Sequence, residues 1–345
     1  MAVRVRPLEA SFTSAWDEFV ITHPDGTFFH RAAWAGIFER AFGHRSFYLV
    51  AERDGAITGV LPLVHLNTWL FGNALVSTPF CVQGGPLAAD AESAAALTTR
   101  ALELMAGLGA QSLEYRAMAQ SADTVDWVTR DDLYVGFRKS FSADHEVNML
   151  AIPRKQRAMV RKGIQNGLRS VQTRSVDPFF RIYAESVRNL GTPIFPKRFF
   201  QLLLEAFSEH ADVTTIIDAE KPIAAVLNFY FREEVLPYYG GGVMQARHRA
   251  ANDFMYWQVM RQAADRGYRL FDFGRSKAGT GAYDFKRNWG FTPVPLSYRY
   301  HLAPGASMPD HNPLNPKYRL FIAAWRHLPV PVANLIGPHI VRGIG

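Results

Sequence analysis

The chain has 345 residues, more than one small domain needs, so two domains are expected. An apolar content of 48%, with 7 Trp, 25 Phe and 13 Tyr, fills packed cores and excludes a largely disordered chain. The 38 basic against 31 acidic residues give a formal charge of +7, which suits an anionic partner: phosphate, nucleic acid or a membrane face.

A single cysteine, Cys81, cannot form an internal disulfide, which fits a reducing, cytoplasmic setting. The opening MAVRVRPLEASF lacks the apolar core of a signal peptide. No uninterrupted apolar run of about 18 residues occurs, so no membrane-spanning helix is expected.

In chain order, Phe47–Ala51 reads as a strand, Asp54–Gly55 as a turn and Ile57–His65 as the partner strand. A third strand follows near Ala74–Ser77, then an alanine-rich helix over Ala91–Gly107 and a strand over Ser112–Tyr115. The second half repeats this order. Val213–Asp218 is a strand, Ala219–Lys221 a turn, Ile223–Phe231 its partner and Val235–Tyr239 the third strand. A helix over Ala250–Arg266 ends at Gly267, and the strand Arg269–Phe273 completes the unit. Duplication of this order predicts an α/β (α+β) protein built from two copies of one unit. The expected domains are 1–145 and 146–302, with a tail at 303–345.

Between the halves lies a basic helix, 153–166, opened by Pro153 and stopped at Asn166–Gly167. No Asp or Glu occurs between Glu146 and Asp177. Arg154, Arg157 and Arg161 are spaced i, i+3, i+7 and share one helix face. Unopposed like charges suit contact with phosphate or another polyanion; the alternative is a solvated face.

The segment Tyr268–Tyr300 reads as strand, glycine-broken loop, short helix and strand. It gathers Asp272, Arg275, Lys277, Tyr283 and Lys286 near glycines 274, 279 and 281, which allow close approach of a ligand to the backbone. Asp272 sits where a strand ends, the position of ligand contacts in open α/β sheets, and is a candidate to accept a proton from an attacking ammonium. Its alternative is a turn-capping aspartate. Tyr283 lies three residues before Lys286, on the same helix face, and is a candidate proton donor to a leaving group, or else an ordinary buried tyrosine. Arg275 and Lys277 suit phosphate contact better than chemistry.

After His301 a linker-like stretch, PGASMPDHNPLNP, leads to Lys317–Gly345. That tail combines Phe321, Trp325, Leu328, Leu335 and Ile336 with Lys317, Arg319, Arg326 and Arg342, and carries no acid. Such a segment suits a membrane interface, or it packs on the domains. The Pro329–Val330–Pro331 break divides it.

FDFGRSKAGTGAYDFKRNWGF, preceded by NDFMYWQVMRQAADRGYR, resembles the C-terminal signature of the Fem family of peptidoglycan-bridge aminoacyltransferases. The nearest likeness is to its FemAB-like branch associated with exosortase (PEP-CTERM) and exopolysaccharide systems. The helix PRKQRAMVRKGIQNGL and the stretch FFHRAAWAGIFERAFGHRSFYLVAERDGAITGVLPLVHL resemble the same family. The likeness spans most of residues 25–301 and is most specific at Phe271–Phe291. It implies two tandem acyltransferase-type (GNAT-like) domains with mixed sheets flanked by helices. It also implies amide-bond formation, with aminoacyl-tRNA as donor and an amine on an anionic cell-envelope precursor as acceptor. The lysine of the family's Phe-Lys pair, here Phe285–Lys286, is thereby implied at the reacting centre, with Phe285 expected beside the substrate. A cation there would stabilise the oxyanion formed on attack at an ester or thioester carbonyl. The residue-level alternative is a surface lysine near a helix C-terminus.

An acyl-CoA-dependent N-acyltransferase is the main alternative. The stretch where its glycine-rich pyrophosphate loop would fall, Arg247–Asn252, has no glycine, although Arg247 and Arg249 suit an anionic donor. A non-catalytic RNA-binding protein is the second alternative, but no RNP strand, KH loop or helix-turn-helix signature is present. No metal site and no tightly bound cofactor are expected, because the 11 histidines are scattered and no H-E-x-x-H or cysteine pair occurs. The expected location is cytoplasmic, with peripheral contact at the inner membrane face through the tail.

Overall fold

The structure is a computed structural model that describes residues 2–69, 71–116, 126–309 and 319–344. The chain forms two compact units. The first comprises 1–133, 295–311 and 342–345, and the second 134–294 and 312–341. The linker read at residues 304–316 lies mostly outside the described residues.

The first unit begins with β1 (Arg4–Pro7), α1 (Thr13–Thr22), α2 (Trp34–Phe42), β2 (Arg45–Ser46), β3 (Leu49–Arg53) and β4 (Ala56–Leu61). It continues with β5 (Val64–Thr68), β6 (Gly72–Val76), β7 (Leu87–Ala88), α3 (Ala91–Gly107) and β8 (Ser112–Arg116). The strand read over Ile57–His65 is in fact two. Pro62 has no N–H for a ladder, and the chain breaks there. β4 stays in a small antiparallel sheet ordered β1-β3-β4-β7, while β5 joins β2 and β6. β6 and β8 run parallel and are joined by α3. The N-terminus of α3 is fixed by Asp90, whose Oδ1 accepts from the Ser93 amide at 2.8 Å. Leu97, Ala101 and Met105 of α3 pack with Leu49, Leu61, Leu75 and Leu113 into one core.

The second unit contains most of β9 (Val128–Ser140), then α4 (His145–Ala151), α5 (Arg154–Gln165), β10 (Arg169–Thr173), α6 (Val176–Leu190) and α7 (Lys197–Ala206). β11 (Ala211–Asp218), β12 (Lys221–Phe231), β13 (Glu234–Gly242), α8 (Met244–His248), α9 (Ala251–Asp265), β14 (Leu270–Ser276) and α10 (Gly281–Asn288) follow. β15 (Pro293–Leu302) returns to the first unit and pairs antiparallel with β8. α11 (Arg319–Arg326) and α12 (Val330–Val341) complete the second unit.

Within the second unit the strand order is β10-β11-β12-β13-β14-β9. Neighbours are antiparallel except β13 and β14, which are parallel and joined through α9. Each unit thus repeats a parallel strand–helix–strand element, as the duplicated pattern predicts. The units are not linear in sequence, however. The boundaries read at 145 and 302 miss that β9 lies with β14, although it precedes α5, and that β15 lies with β8, although it follows α10.

The core of the second unit is aromatic. Phe254, Trp257 and Met260 of α9 meet Phe271, Phe273, Trp289 and Phe291, and all are buried. Phe273 lies 4.6 Å from Phe291 and 4.8 Å from Phe271, centroid to centroid, in edge-to-face geometry. The strand and helix that carry the candidate residues are therefore anchored on one rigid cluster.

Candidate active site

The site is built where β13 and β14 part. Their parallel ladder has only two residue pairs, Glu234 with Leu270 and Val235 with Phe271. Beyond that point β14 pairs with β9 alone, and its register shifts between Asp272 and Arg275. Asp272 pairs with Arg138 and Arg275 with Gly136, so Phe273 and Gly274 oppose the single residue Phe137. Gly274 has φ +66°, the left-handed glycine of a bulge. The bulge turns two carbonyls, those of Gly274 and Arg275, toward α10.

Lys286 occupies that corner. Its Nζ donates to the Arg275 carbonyl at 2.9 Å and to the Gly274 carbonyl at 3.4 Å, and lies 5.5 Å from the centroid of the Phe137 ring. Burial pushes its pKa down to about 8, against the pull of Asp272 and with the push of Arg275. α10 is set by Thr280, whose side chain accepts from the Tyr283 amide at 3.3 Å. Tyr283 packs edge-on against the same Phe137 ring, 5.6 Å between centroids. Lys286 and Tyr283 thus meet on one phenyl ring, as their spacing predicts.

Asp272 is buried, and its Oδ1 accepts from the Gly274 amide at 2.6 Å. It caps the bulge, the alternative its sequence position also allowed. Its Oδ2 lies 3.6 Å from Nε of Arg138, and Nη2 of Arg138 lies 2.9 Å from Oε2 of Glu234. One guanidinium therefore bridges two enclosed carboxylates. Burial raises the pKa of both, Arg138 opposes the rise, and each carboxylate stands as a group more basic than in water.

Arg275 and Lys277 flank the Tyr134 ring, 4.4 and 5.1 Å from its centroid. Phe285, expected beside a ligand, packs between Tyr256 at 5.6 Å and Trp289 at 6.2 Å and holds α10 on the core. Arg154 and Arg161 project from the exposed face of α5, with Arg157 half-buried at its edge. The opposite face, Gln156, Val160 and Gly163, is buried. Gln156 Nε2 and Trp289 Nε1 both donate to Oδ1 of Asp253 at 2.9 Å. Pro153, which opens α5, lies against Gly290, just past α10. The basic helix and the lysine helix are thus neighbours.

Arg249 does not serve as an open anion contact. It pairs with Asp218 at 2.8 Å and donates to the Asn166 carbonyl at 2.9 Å, and so ties α5 to the start of α9. Sequence reading missed Tyr134, Phe137 and Arg138 because β9 was not recognised. Its signal was the short aromatic and β-branched run LYVGFRKS. Among the described residues no group of three or more His, Cys, Asp or Glu is placed to hold a metal ion. Cys81 is fully buried.

Residues 154–287 match the family model of the acetyltransferase (GNAT) domain. Among solved structures, FemX is similar over 92% of this chain and 100% of its own, with a TM-score of 0.66 and 14% identity. The fold is a tandem GNAT fold. L-PGS from Bacillus licheniformis is similar over 99% of this chain and 98% of its own, at TM-score 0.58 and 11% identity. A tandem GNAT protein from the clavulanic acid biosynthesis pathway covers 89% of this chain and 100% of its own, at TM-score 0.55 and 13% identity. No curated protein sequence matches the chain. The second unit is thus a GNAT-type acyltransferase domain, and the parted strands β13 and β14 with the Lys286 corner lie in it. β9 lies outside the matched segment, yet supplies one wall of the site.

Proposed function

We propose that this chain transfers an aminoacyl group from a charged tRNA to an amine on an anionic cell-envelope or exopolysaccharide precursor. The observation that carries the reading is the Lys286 corner, a half-buried cation held on two carbonyls beside the buried carboxylate of Asp272, next to an exposed basic helix face. The acceptor amine attacks the ester carbonyl, a C–N bond forms, and the C–O bond to the tRNA ribose breaks. Lys286, with two of its N–H groups on carbonyls 274 and 275, directs the third toward the developing oxyanion. Asp272, made more basic by burial, takes the proton lost by the ammonium. Tyr283 is the third candidate, for protonating the leaving oxygen. Arg154, Arg157 and Arg161 hold phosphates of tRNA or precursor, with Arg275 and Lys277 assisting.

The alternative donor is acyl-CoA, favoured by the match to the acetyltransferase domain. Against it stands the crowding of the glycines that end β13. A Cβ on Gly241 would meet Ser186 at 2.5 Å, and one on Gly242 would meet Ala246 and Asn252 at 2.7 Å. These glycines answer to packing rather than to a pyrophosphate. The deciding experiment offers charged tRNA and acetyl-CoA separately to the purified protein at low and moderate salt. Salt-sensitive tRNA binding, weakened by R154A/R157A/R161A, supports the aminoacyl reading. Tight acetyl-CoA binding without tRNA affinity replaces it with a CoA-dependent N-acyltransferase. RNA binding with full transfer activity in Lys286→Ala would remove the lysine from the chemistry.

A further inference from the structure

The last two helices present a strip of large apolar residues to solvent, although α11 also buries Trp325. α12 buries its small residues, Ala333 and Gly337, together with Val341, one turn apart along a single face. Its large apolar residues, Val332, Leu335 and Ile336, face solvent, with Leu335 72% exposed. α11 likewise exposes Leu320, at 85%, and Phe321. Leu190, at the end of α6, is 59% exposed beside them, and its carbonyl accepts from Arg326 Nη2 at 3.4 Å. An amphipathic helix on a globular core normally buries its large residues and exposes polar ones.

The arrangement is not a loose tail. Arg188 Nη1 donates to the carbonyls of Arg326 at 3.2 Å and Leu328 at 3.1 Å, which clamps the turn between the helices to α6. Gly337 lies so close to Ile194 that a Cβ would meet its amide nitrogen at 2.9 Å. The helix pair is therefore a docked module, and the outward apolar strip is its presented surface.

Its charge selects the occupant. From His311 to Gly345 the chain has no Asp or Glu but carries Lys317, Arg319, Arg326 and Arg342, and Arg326 is exposed beside the strip. A second copy of the chain docked face to face would set these unopposed basic groups against themselves, because a two-fold interface pairs each patch with itself. An anionic lipid surface offers the missing negative charge together with an apolar layer. No helix among the described residues is long and apolar enough to cross a membrane, so the contact is peripheral.

We propose that α11 and α12 form a docking surface for anionic membranes, with Leu320, Leu335 and Ile336 entering the acyl boundary and Arg326 at the headgroups. This does not rest on the acyltransferase reading, and its test does not use acyl transfer. The full-length protein is sedimented with vesicles of phosphatidylcholine alone, or with one third phosphatidylglycerol, at low and moderate salt. Binding should depend on phosphatidylglycerol and weaken with salt. L335E/I336E should lower the partition coefficient at least about tenfold with an unchanged Tm. L335S/I336S, which removes the apolar contact without adding charge, should also lose binding. Unchanged vesicle binding in both variants overturns the proposal. So does a concentration-dependent dimer of the wild-type chain, without vesicle binding, that the same variants dissolve.

Discussion

Lys286 Nζ and the main-chain carbonyl of Arg275 are joined by a 2.9 Å hydrogen bond across the bulge in β14, so the ammonium is fastened to the strand rather than free in solvent. Burial holds its pKa at about 8. An oxyanion partner must keep its proton, so kcat/KM should fall as pH rises through about 8. Lys286→Ala should lose about 10²–10³-fold in kcat and with it this alkaline limb. A profile whose alkaline limb survives in the variant would assign that limb to another group.

The same burial makes the lysine costly to the fold. Its pKa drops from an ordinary 10.5 to about 8, so between those values the unfolded chain holds a proton that the folded chain has released. Folded stability then rises with pH over that window, and below it the penalty on the half-buried charge is fully present. Lys286→Met should therefore stabilise the protein by about 1–2 kcal/mol at pH 7, less than the pKa change alone gives because two carbonyls lose a donor. The gain should vanish by pH 10.5, read from chemical unfolding across the range. Greater stability with lost activity is the mark of a functional rather than a structural lysine.

Arg138 should control the proton-accepting side. It is the shared counter-charge of Asp272 and Glu234, and their pKa values already lie above the ordinary range through burial. Arg138→Met removes the opposing charge and raises both further. The acidic limb of kcat/KM should move to higher pH if Asp272 accepts the proton. Stability should fall by about 1–2 kcal/mol at neutral pH, discounted for the half-exposed guanidinium. Because the folded carboxylates then bind protons more tightly than the unfolded ones, that deficit should shrink as pH falls. A limb that does not move would leave Asp272 as a cap of the bulge.

Much of this was legible in the chain because local signals and tertiary structure agree. The alanine run marks α3 over Ala91–Gly107, the residues it occupies, and Asp90 caps its start. Pro153 and Asn166–Gly167 likewise bracket α5. The spacing of Tyr283 and Lys286 does place both on Phe137. What escaped is non-local. β9 carries Tyr134, Phe137 and Arg138, and its partner β14 lies more than a hundred residues downstream. Nothing in the order of residues shows that a strand before the basic helix completes the sheet after it. Arg249 looked available because Asp218, which neutralises it, lies at the end of β11, far from it in sequence. Phe285 looked like a ligand contact because Tyr256, from another helix, meets it only in the folded core; Trp289, four residues on, is a local neighbour.

The position of the basic helix rests on one missing side chain. Gly163 of α5 is buried against α9, where an added Cβ would lie 2.7 Å from Cβ of Phe254 and 3.3 Å from the Ala250 carbonyl. In an exposed helix Gly→Ala stabilises by about 1 kcal/mol. Here the methyl has no room, and neither the core phenylalanine nor the backbone carbonyl can give way cheaply. Gly163→Ala should therefore destabilise by about 1–3 kcal/mol. Any relief comes from moving α5 off α9, which stretches the Gln156 to Asp253 bond and shifts Arg154, Arg157 and Arg161 together. The variant should then weaken polyanion binding although it touches no charge. Heparin-column retention and urea unfolding measured side by side would check both effects. Reduced stability with unchanged retention would mean that the basic face does not depend on this packing.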